Sequence, residues 1–397
     1  MNKALRYTMF GLLYFVQGAI LSFFTALNAI YLLSFNVSMA QIGIMGAIAM
    51  IPFVLKIFMG MLSDRVNLFG LGHRKPYIII GLVIQAVCLV IVPSINPGTD
   101  FWLYAFVAFI LMTGMALYDT TTDGLAVETT PQSEEGTIQG FMVGGRALGV
   151  VVVSAVIGIL VEATSWQVTF WFLAIVSLIP LAFILQMREA KRQADRVFEW
   201  RAFGAFKSLP VIALGILGAL YSLIINAANQ IVNPYLQGLF DFGPQTLGFY
   251  TMLWGIGVVF GSLFGGKLVD KIGRKRSVLA AMVISVISIL LFVVIADPGV
   301  AIAIVVIFGI AFGYYETVYF AISMEKTDPR IAASMFSILM AIANIGTGIG
   351  LALSGILVDG IGYKLTFVVI AVLNLIALPL IPLVFKRGET KSQNGKT

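Results

Sequence analysis

The sequence predicts an all-α integral membrane protein, with twelve transmembrane helices in two pseudo-symmetric six-helix bundles. Composition, the spacing of apolar runs and an internal repeat each lead there. Of 397 residues, 59% are hydrophobic and only 11% are charged, whereas a soluble domain carries about 25% charged residues. Twelve spans of roughly 20–23 residues use about 240–276 residues, which leaves short loops and one longer connection. The apolar runs lie near 7–34, 41–63, 76–93, 101–127, 138–161, 167–187, 209–235, 246–269, 276–296, 300–324, 332–358 and 363–385. Runs of this length are helices, because lipid offers no partner to an open backbone.

Basic residues set the orientation. Of the 25 lysines and arginines, Lys56 and Arg146 fall inside spans and Lys364 alone lies on one face; all others lie on the opposite face. That face is cytoplasmic by the positive-inside rule, and both termini share it. The outer connections carry Asp100, Glu162, Asp241, Asp297 and Asp359 instead. The expected location is an inner cell membrane, multi-pass. The longest connection, Arg188 to Lys207, interleaves basic residues with Val197, Phe198, Trp200, Phe203 and Phe206. It reads as a linker with an amphipathic helix on the inner leaflet. The expected organisation is therefore a bundle over 1–187, a cytoplasmic linker over 188–208 and a second bundle over 209–397.

Several functions drop out. Cys88 is the only cysteine and His73 the only histidine, so thiolate metal clusters, His-based triads and His relays are excluded. No metal or cofactor is expected, and no enzyme activity. No Gly-x-x-x-x-Gly-Lys-Ser/Thr motif is present to bind ATP. The net charge of +6 belongs to the cytoplasmic loops, not to a nucleic-acid surface. The first apolar run is too long for the core of a signal peptide.

The halves repeat. Gly158-Ile-Leu-Val-Glu162 recurs as Gly355-Ile-Leu-Val-Asp359, an offset of 197, and at that offset Thr169-Phe170 falls on Thr366-Phe367, Asp119 on Glu316 and Glu128 on Glu325. Two six-span halves in parallel orientation mark a transporter with its site between them. Two loop motifs also correspond. Gly266-Lys-Leu-Val-Asp270 continues to Gly273-Arg274-Lys275-Arg276, and Gly60-x-Leu62-x-Asp64-Arg65 continues, after an insertion, to Gly72-His73-Arg74-Lys75. Glycine lets helices approach. An aspartate at a helix end pairs with an arginine or a helix N-terminus. Gly60, Asp64, Arg65, Arg74, Lys75, Gly266, Asp270, Gly273, Arg274 and Lys275 thus form a candidate cytoplasmic gate; the competing reading is that these basics only fix topology.

These motifs resemble the major facilitator superfamily, over nearly the whole chain. The resemblance implies two bundles about a pseudo-two-fold axis, alternating access, and a cavity lined by spans 1, 4, 7 and 10. The first loop departs by its insertion, Asn67 to Leu71. That longer loop is similar to a subgroup: folate–biopterin transporters, AmpG-type muropeptide permeases, acetyl-coenzyme A transporters and sodium/sugar symporters. The order Asp119, Asp123, Glu128 resembles the folate–biopterin group, and Arg146 resembles an arginine of muropeptide permeases.

Ionisable groups at mid-depth are functional hypotheses. Asp119 and Asp123 share one face of span 4. With Lys56 and Arg146 as counter-charges they can form two ion pairs. Glu316 has no such partner, because the positions matching Lys56 and Arg146 are Ser262 and Ala343. Glu316, Asp119 and Asp123 are therefore the coupling candidates for a proton or cation. Snorkelling of the two cations, local capping by Asp123 and a hydrogen-bonded structural Glu316 are the competing readings. Gln17, Ser22, Thr25 and Asn28, with Tyr221, Asn226, Asn229, Gln230, Asn233 and Tyr235, supply amides and phenols for a polar solute, joined by Tyr118, Tyr315 and Tyr319. The competing role for the amides is helix–helix glue.

The expected function is proton- or cation-coupled secondary transport of a small polar solute by a monomer in the bilayer. A non-transporting assembly factor and an organic-cation exporter are the rivals. Topology is checked with cysteines placed at Ser392 and Gln193, which should resist an impermeant thiol reagent outside intact cells. Labelling of either from outside would reject this orientation.

Overall fold

The computed structural model describes residues 3–130, 134–187, 204, 206–326 and 332–385. All regular structure among them is helical. The first bundle comprises α1 (Lys3–Ser22, carried through a π-turn at Phe23–Leu27 into Asn28–Leu33), α2 (Met39–Arg65), α3 (Lys75–Ile91), α4 (Phe101–Thr129), α5 (Glu135–Ala163) and α6 (Trp166–Leu178, then Leu181–Ile184). The second comprises α7 (Leu209–Phe240), α8 (Pro244–Ile272), α9 (Arg274–Leu291), α10 (Pro298–Lys326), α11 and α12. The last two run as one helix, Ala332–Leu373, broken at Gly362, whose φ of +78° only glycine adopts readily. Among the described residues, eleven helices are long and apolar enough to cross a membrane. Dividing the last at Gly362 gives the twelve expected spans. The linker expected over 188–208 falls almost wholly outside the described residues.

Local signals place the ends. Ser38 caps α2 in a reciprocal capping box with Gln41. Proline stands in the first turn of α3, α7 and α8, where its missing N–H costs nothing. The repeated Thr-Phe pairs do the same work twice. Thr169 Oγ1 donates to Ser165 O at 3.0 Å and Thr366 Oγ1 to Gly362 O at 2.8 Å. Phe170 lies 5.0 Å from Phe23 and 5.1 Å from Tyr31, while Phe367 lies 5.0 Å from Phe292 and 5.4 Å from Tyr235, between ring centroids. Each bundle thus closes around an aromatic cluster toward its outer side.

The bundles meet along two seams, α2 against α11 and α5 against α8. At the outer ends, Gly158 lies so near α8 that a Cβ there would sit 2.6 Å from Pro244 O. A Cβ at Gly355 would collide with the Met39 carbonyl oxygen of α2. Contact continues inward to Asn344 Nδ2, which donates to Phe53 O at 3.3 Å, and to Gly255, which faces Val150 and Val151. Nearer the inner end, Val143 of α5 is exposed and nothing lies within 4 Å of where a Gly144 Cβ would be. On the side away from the basic loops the two bundles are in backbone contact at both seams.

Candidate functional site: charges at one depth between the bundles

Four of the five intramembrane charges, all but Asp123, stand at nearly one level. At a rise of 1.5 Å per residue, Asp119 lies about 15 Å above the inner end of α4 and Asp123 about 9 Å. By the same rise Lys56 of α2, Arg146 of α5 and Glu316 of α10 lie about 14–16 Å above theirs. Asp119 is buried and doubly held: Lys56 Nζ is 3.6 Å from Oδ2, and Gln17 Nε2 donates to Oδ1 at 2.7 Å. This joins α1, α2 and α4. Asp123, half-buried one turn nearer the inner side, accepts a hydrogen bond from the Tyr14 hydroxyl of α1.

Of the two expected ion pairs, one forms, between Lys56 and Asp119. Arg146 is exposed, and the described residues give it no ion-pair partner. It lies on the same helix face as Val150, at the opening between the bundles. Glu316 is half-buried and likewise has no ion-pair partner among the described residues. Tyr221 of α7 is within electrostatic reach of both Arg146 and Glu316. Its ring packs 4.3 Å from Tyr315 and 5.7 Å from Tyr319. Arg146 and Glu316 thus both act on Tyr221, and Arg146 also acts on Asp123 and Tyr14.

Most of the expected cavity amides are occupied with helix packing. Asn226 Nδ2 donates to Thr347 Oγ1 at 3.2 Å, and Gln230 Nε2 to Leu351 O at 2.9 Å, both on α11. Asn233 Nδ2 bonds Ala26 O and Thr251 Oγ1 at 3.1 and 2.9 Å. Asn229 instead lines a small cleft with Ala26, Val232 and Trp254, whose buried indole N–H has no hydrogen-bond partner there. Asn28 accepts from Tyr104 at 2.6 Å inside the first bundle, and Ser22 bonds Ala19 O. Tyr118 is buried against Gly81 of α3, and Tyr319 donates to Leu339 O. Tyr315 reaches Asn374 at 3.5 Å, and Tyr235 stacks near Tyr363. The side chain of Thr25 lies outside the described residues.

The gate motifs tie helices within each bundle. Arg74, at the start of α3, donates to Asp64 of α2 at 2.5 Å, to Glu128 of α4 at 2.8 Å and to Ser63 Oγ at 2.6 Å. Burial opposes the Arg74 charge, but Glu128 and then Asp64 outweigh it and raise its pKa. Arg274, at the start of α9, pairs with Glu325 of α10 at 3.0 Å. Lys75 Nζ caps the end of α6 through Leu185 O and Met187 O. Arg65 and Lys275 are exposed, and Gly60 packs on Thr120. Gly273 turns α8 into α9 at a φ of +82°. The side chain of Asp270 and the surroundings of Gly266 lie outside the described residues.

Two contributors lay beyond the sequence reading. Glu128 was visible as a repeat of Glu325, but its role as the third arm of the Arg74 cluster was not. Glu134, before α5, gathers Lys3 at 3.0 Å, Arg6 and Tyr7. Hydrogen bonds from Lys3 and Tyr7 hold its carboxyl below the usual range.

The Lys56–Asp119 assignment has a direct check in thermal unfolding. Asp119→Asn strands Lys56, and breaking a buried pair costs roughly 3–5 kcal/mol. The low end, about 3 kcal/mol, is expected because Lys56 keeps 21% of its side chain exposed. Adding Lys56→Met should recover most of the lost melting temperature, and adding Arg146→Gln should not. The reverse pattern would make Arg146 the partner.

Comparison with known proteins agrees with this architecture. The family model described as Major Facilitator Superfamily matches residues 10–334 and again 214–397. The probable folate-biopterin transporter 7 of Arabidopsis thaliana is 27% identical over 88% of this chain and 86% of its own length. The putative transporter AmpG 1 of Rickettsia conorii is 22% identical over 90% of this chain and 92% of its own. A bacterial homologue of the human lysosomal transporter Spinster, solved inward-facing and unoccupied, superposes with a TM-score of 0.78 at 16% identity. That match covers 97% of this chain and 98% of the homologue. A transporter family model spanning the chain, together with twelve helices in two bundles around intramembrane charges, shows that this chain belongs to the major facilitator superfamily.

Proposed function

We propose that the chain moves a small polar solute across an inner cell membrane by alternating access, coupled to a proton or another cation. What supports this reading is the pair of charges without an ion-pair partner among the described residues, Arg146 and Glu316, both within electrostatic reach of Tyr221. Asp119 is committed to Lys56 and Gln17, and Asp123 to Tyr14, so the first bundle presents a fixed polar frame. Glu316 is the carboxylate free to take up and release a cation. Arg146 and the phenol of Tyr221 are the groups a solute meets, and Asn229 extends that surface outward. The name of the folate–biopterin relative is consistent with a polar, ring-bearing solute beside the tyrosines. The bundles over 1–187 and 209–397 rock about the site as units. The basic loops and both termini face the cytoplasm, and one chain suffices.

A second reading, export of an organic cation, rests on the excess of carboxylates: three, against the two cations Lys56 and Arg146. Uptake by proteoliposomes separates the readings. A labelled pterin, a nucleoside, an acidic amino sugar and a lipophilic organic cation would be offered with and without a pH gradient. Gradient-dependent accumulation of a pterin, nucleoside or sugar supports the proposal. Gradient-driven expulsion of the organic cation alone supports the exporter. No movement of any of them would point to an assembly factor.

A further inference from the structure

The repeated Gly-Ile-Leu-Val-acid segment has a role that neither the family match nor the inner-side motifs assign. It lies at the outer end of α5, as Gly158–Glu162, and at the outer end of α11, as Gly355–Asp359. In both places the glycine and the acid address the other bundle. Gly355 packs on the backbone of Met39 and Ala40, while Gly158 packs on Pro244 and Gln245. Four residues on, about one helical turn, each carboxylate reaches the first amides of the same opposing helix. Asp359 Oδ1 accepts from Met39 N at 3.2 Å, and its Oδ2 accepts from Ala40 N at 2.8 Å. Glu162 Oε2 accepts from Gln245 N at 3.2 Å.

We infer that Glu162 and Asp359 are the outer gate: each carboxylate of the repeat caps the first turn of a helix in the opposite bundle and holds the outer side shut.

The accounting at the start of α2 supports this. A helix begins with four amides that lack intrahelical partners. Within the same bundle, Ser38 N donates to Gln41 Oε1 and Gln41 N donates to Ser38 Oγ. The remaining two, Met39 N and Ala40 N, are taken by the other bundle. At the start of α8, Pro244 has no N–H to satisfy, and Glu162 reaches across to Gln245 N. A carboxylate at this end also meets the positive end of the helix dipole. Opening the outer side must pull both carboxylates off and hand the amides to water. Both acids are exposed, so water is at hand and each contact is weak enough to release. The α2 side, with two hydrogen bonds from a short side chain, is the firmer of the two.

The inference stands apart from the identity of the solute, and so does its test. Cys88 is the only native cysteine and is buried. A Val232→Cys reporter, buried between α1, α7 and α8 near the outer seam, is then modified by an impermeant thiol reagent from outside only while that seam is open. Asp359→Ala should raise the modification rate roughly two- to fivefold, the range of one exposed helix-terminus contact. Glu162→Ala should raise it less, and the double variant by about the product of the two. Asp297→Ala is the control. Its Oδ1 accepts from Val300 N at 3.0 Å, the same chemistry confined to one bundle, and its rate should match the parent. An unchanged rate in the two single variants, or an equal rise in Asp297→Ala, would overturn the inference.

Discussion

Ionised side chains halfway across a bilayer are costly unless a counter-charge or water meets them. That constraint organises the centre of this chain. Asp119 survives at depth because Lys56 and Gln17 come to it from two other helices, so α1, α2 and α4 are fixed in rotation as well as position. Asp123 is served by Tyr14 from the same side. Arg146 and Glu316 have no ion-pair partner among the described residues, and Arg146 is within electrostatic reach of Asp123.

The repeat explains why the halves look alike and behave differently. Backbone features recur: the aromatic hubs at Phe170 and Phe367, the threonines beside them, and the helix-start arginines Arg74 and Arg274 with their acids. The charge at the centre does not recur, since Ser262 and Ala343 stand where the first bundle has Lys56 and Arg146. One bundle therefore carries an ion pair with Arg146 and Asp123 beside it, and the other carries a single carboxylate at that depth. At the outer ends the repeat is symmetric again, with each half reaching for the other. The inner arginine clusters stay within their own bundles and can ride with them as rigid ends.

Much of this was legible from the residues. Helix number and repeat follow from apolar runs and matched segments, because the bilayer allows so few alternatives. The α11–α12 break was legible as the gap between the runs 332–358 and 363–385. Depth could be counted along each helix, but the choice of cation could not: whether Lys56 or Arg146 meets Asp119 depends on how α2 and α5 are rotated against α4. The amide stripe of α7 shows the same limit. Its three- and four-residue spacing gives a shared face, yet only packing reveals that Asn226 and Gln230 face α11. Glu162 and Asp359 were visible as a repeat, while the amides they cap lie in the opposite half and carry no side-chain signature.

Glu316 decides whether the second bundle is the coupling half. Glu316→Gln keeps the shape and hydrogen-bonding capacity of the side chain but cannot titrate. In proteoliposomes loaded with the solute identified by uptake, the variant should lose gradient-driven accumulation. It should still exchange labelled for unlabelled solute between equal pools, since exchange need not return an empty carrier. Accumulation equal to that of the parent would contradict the assignment and move the coupling role to Asp119 and Asp123.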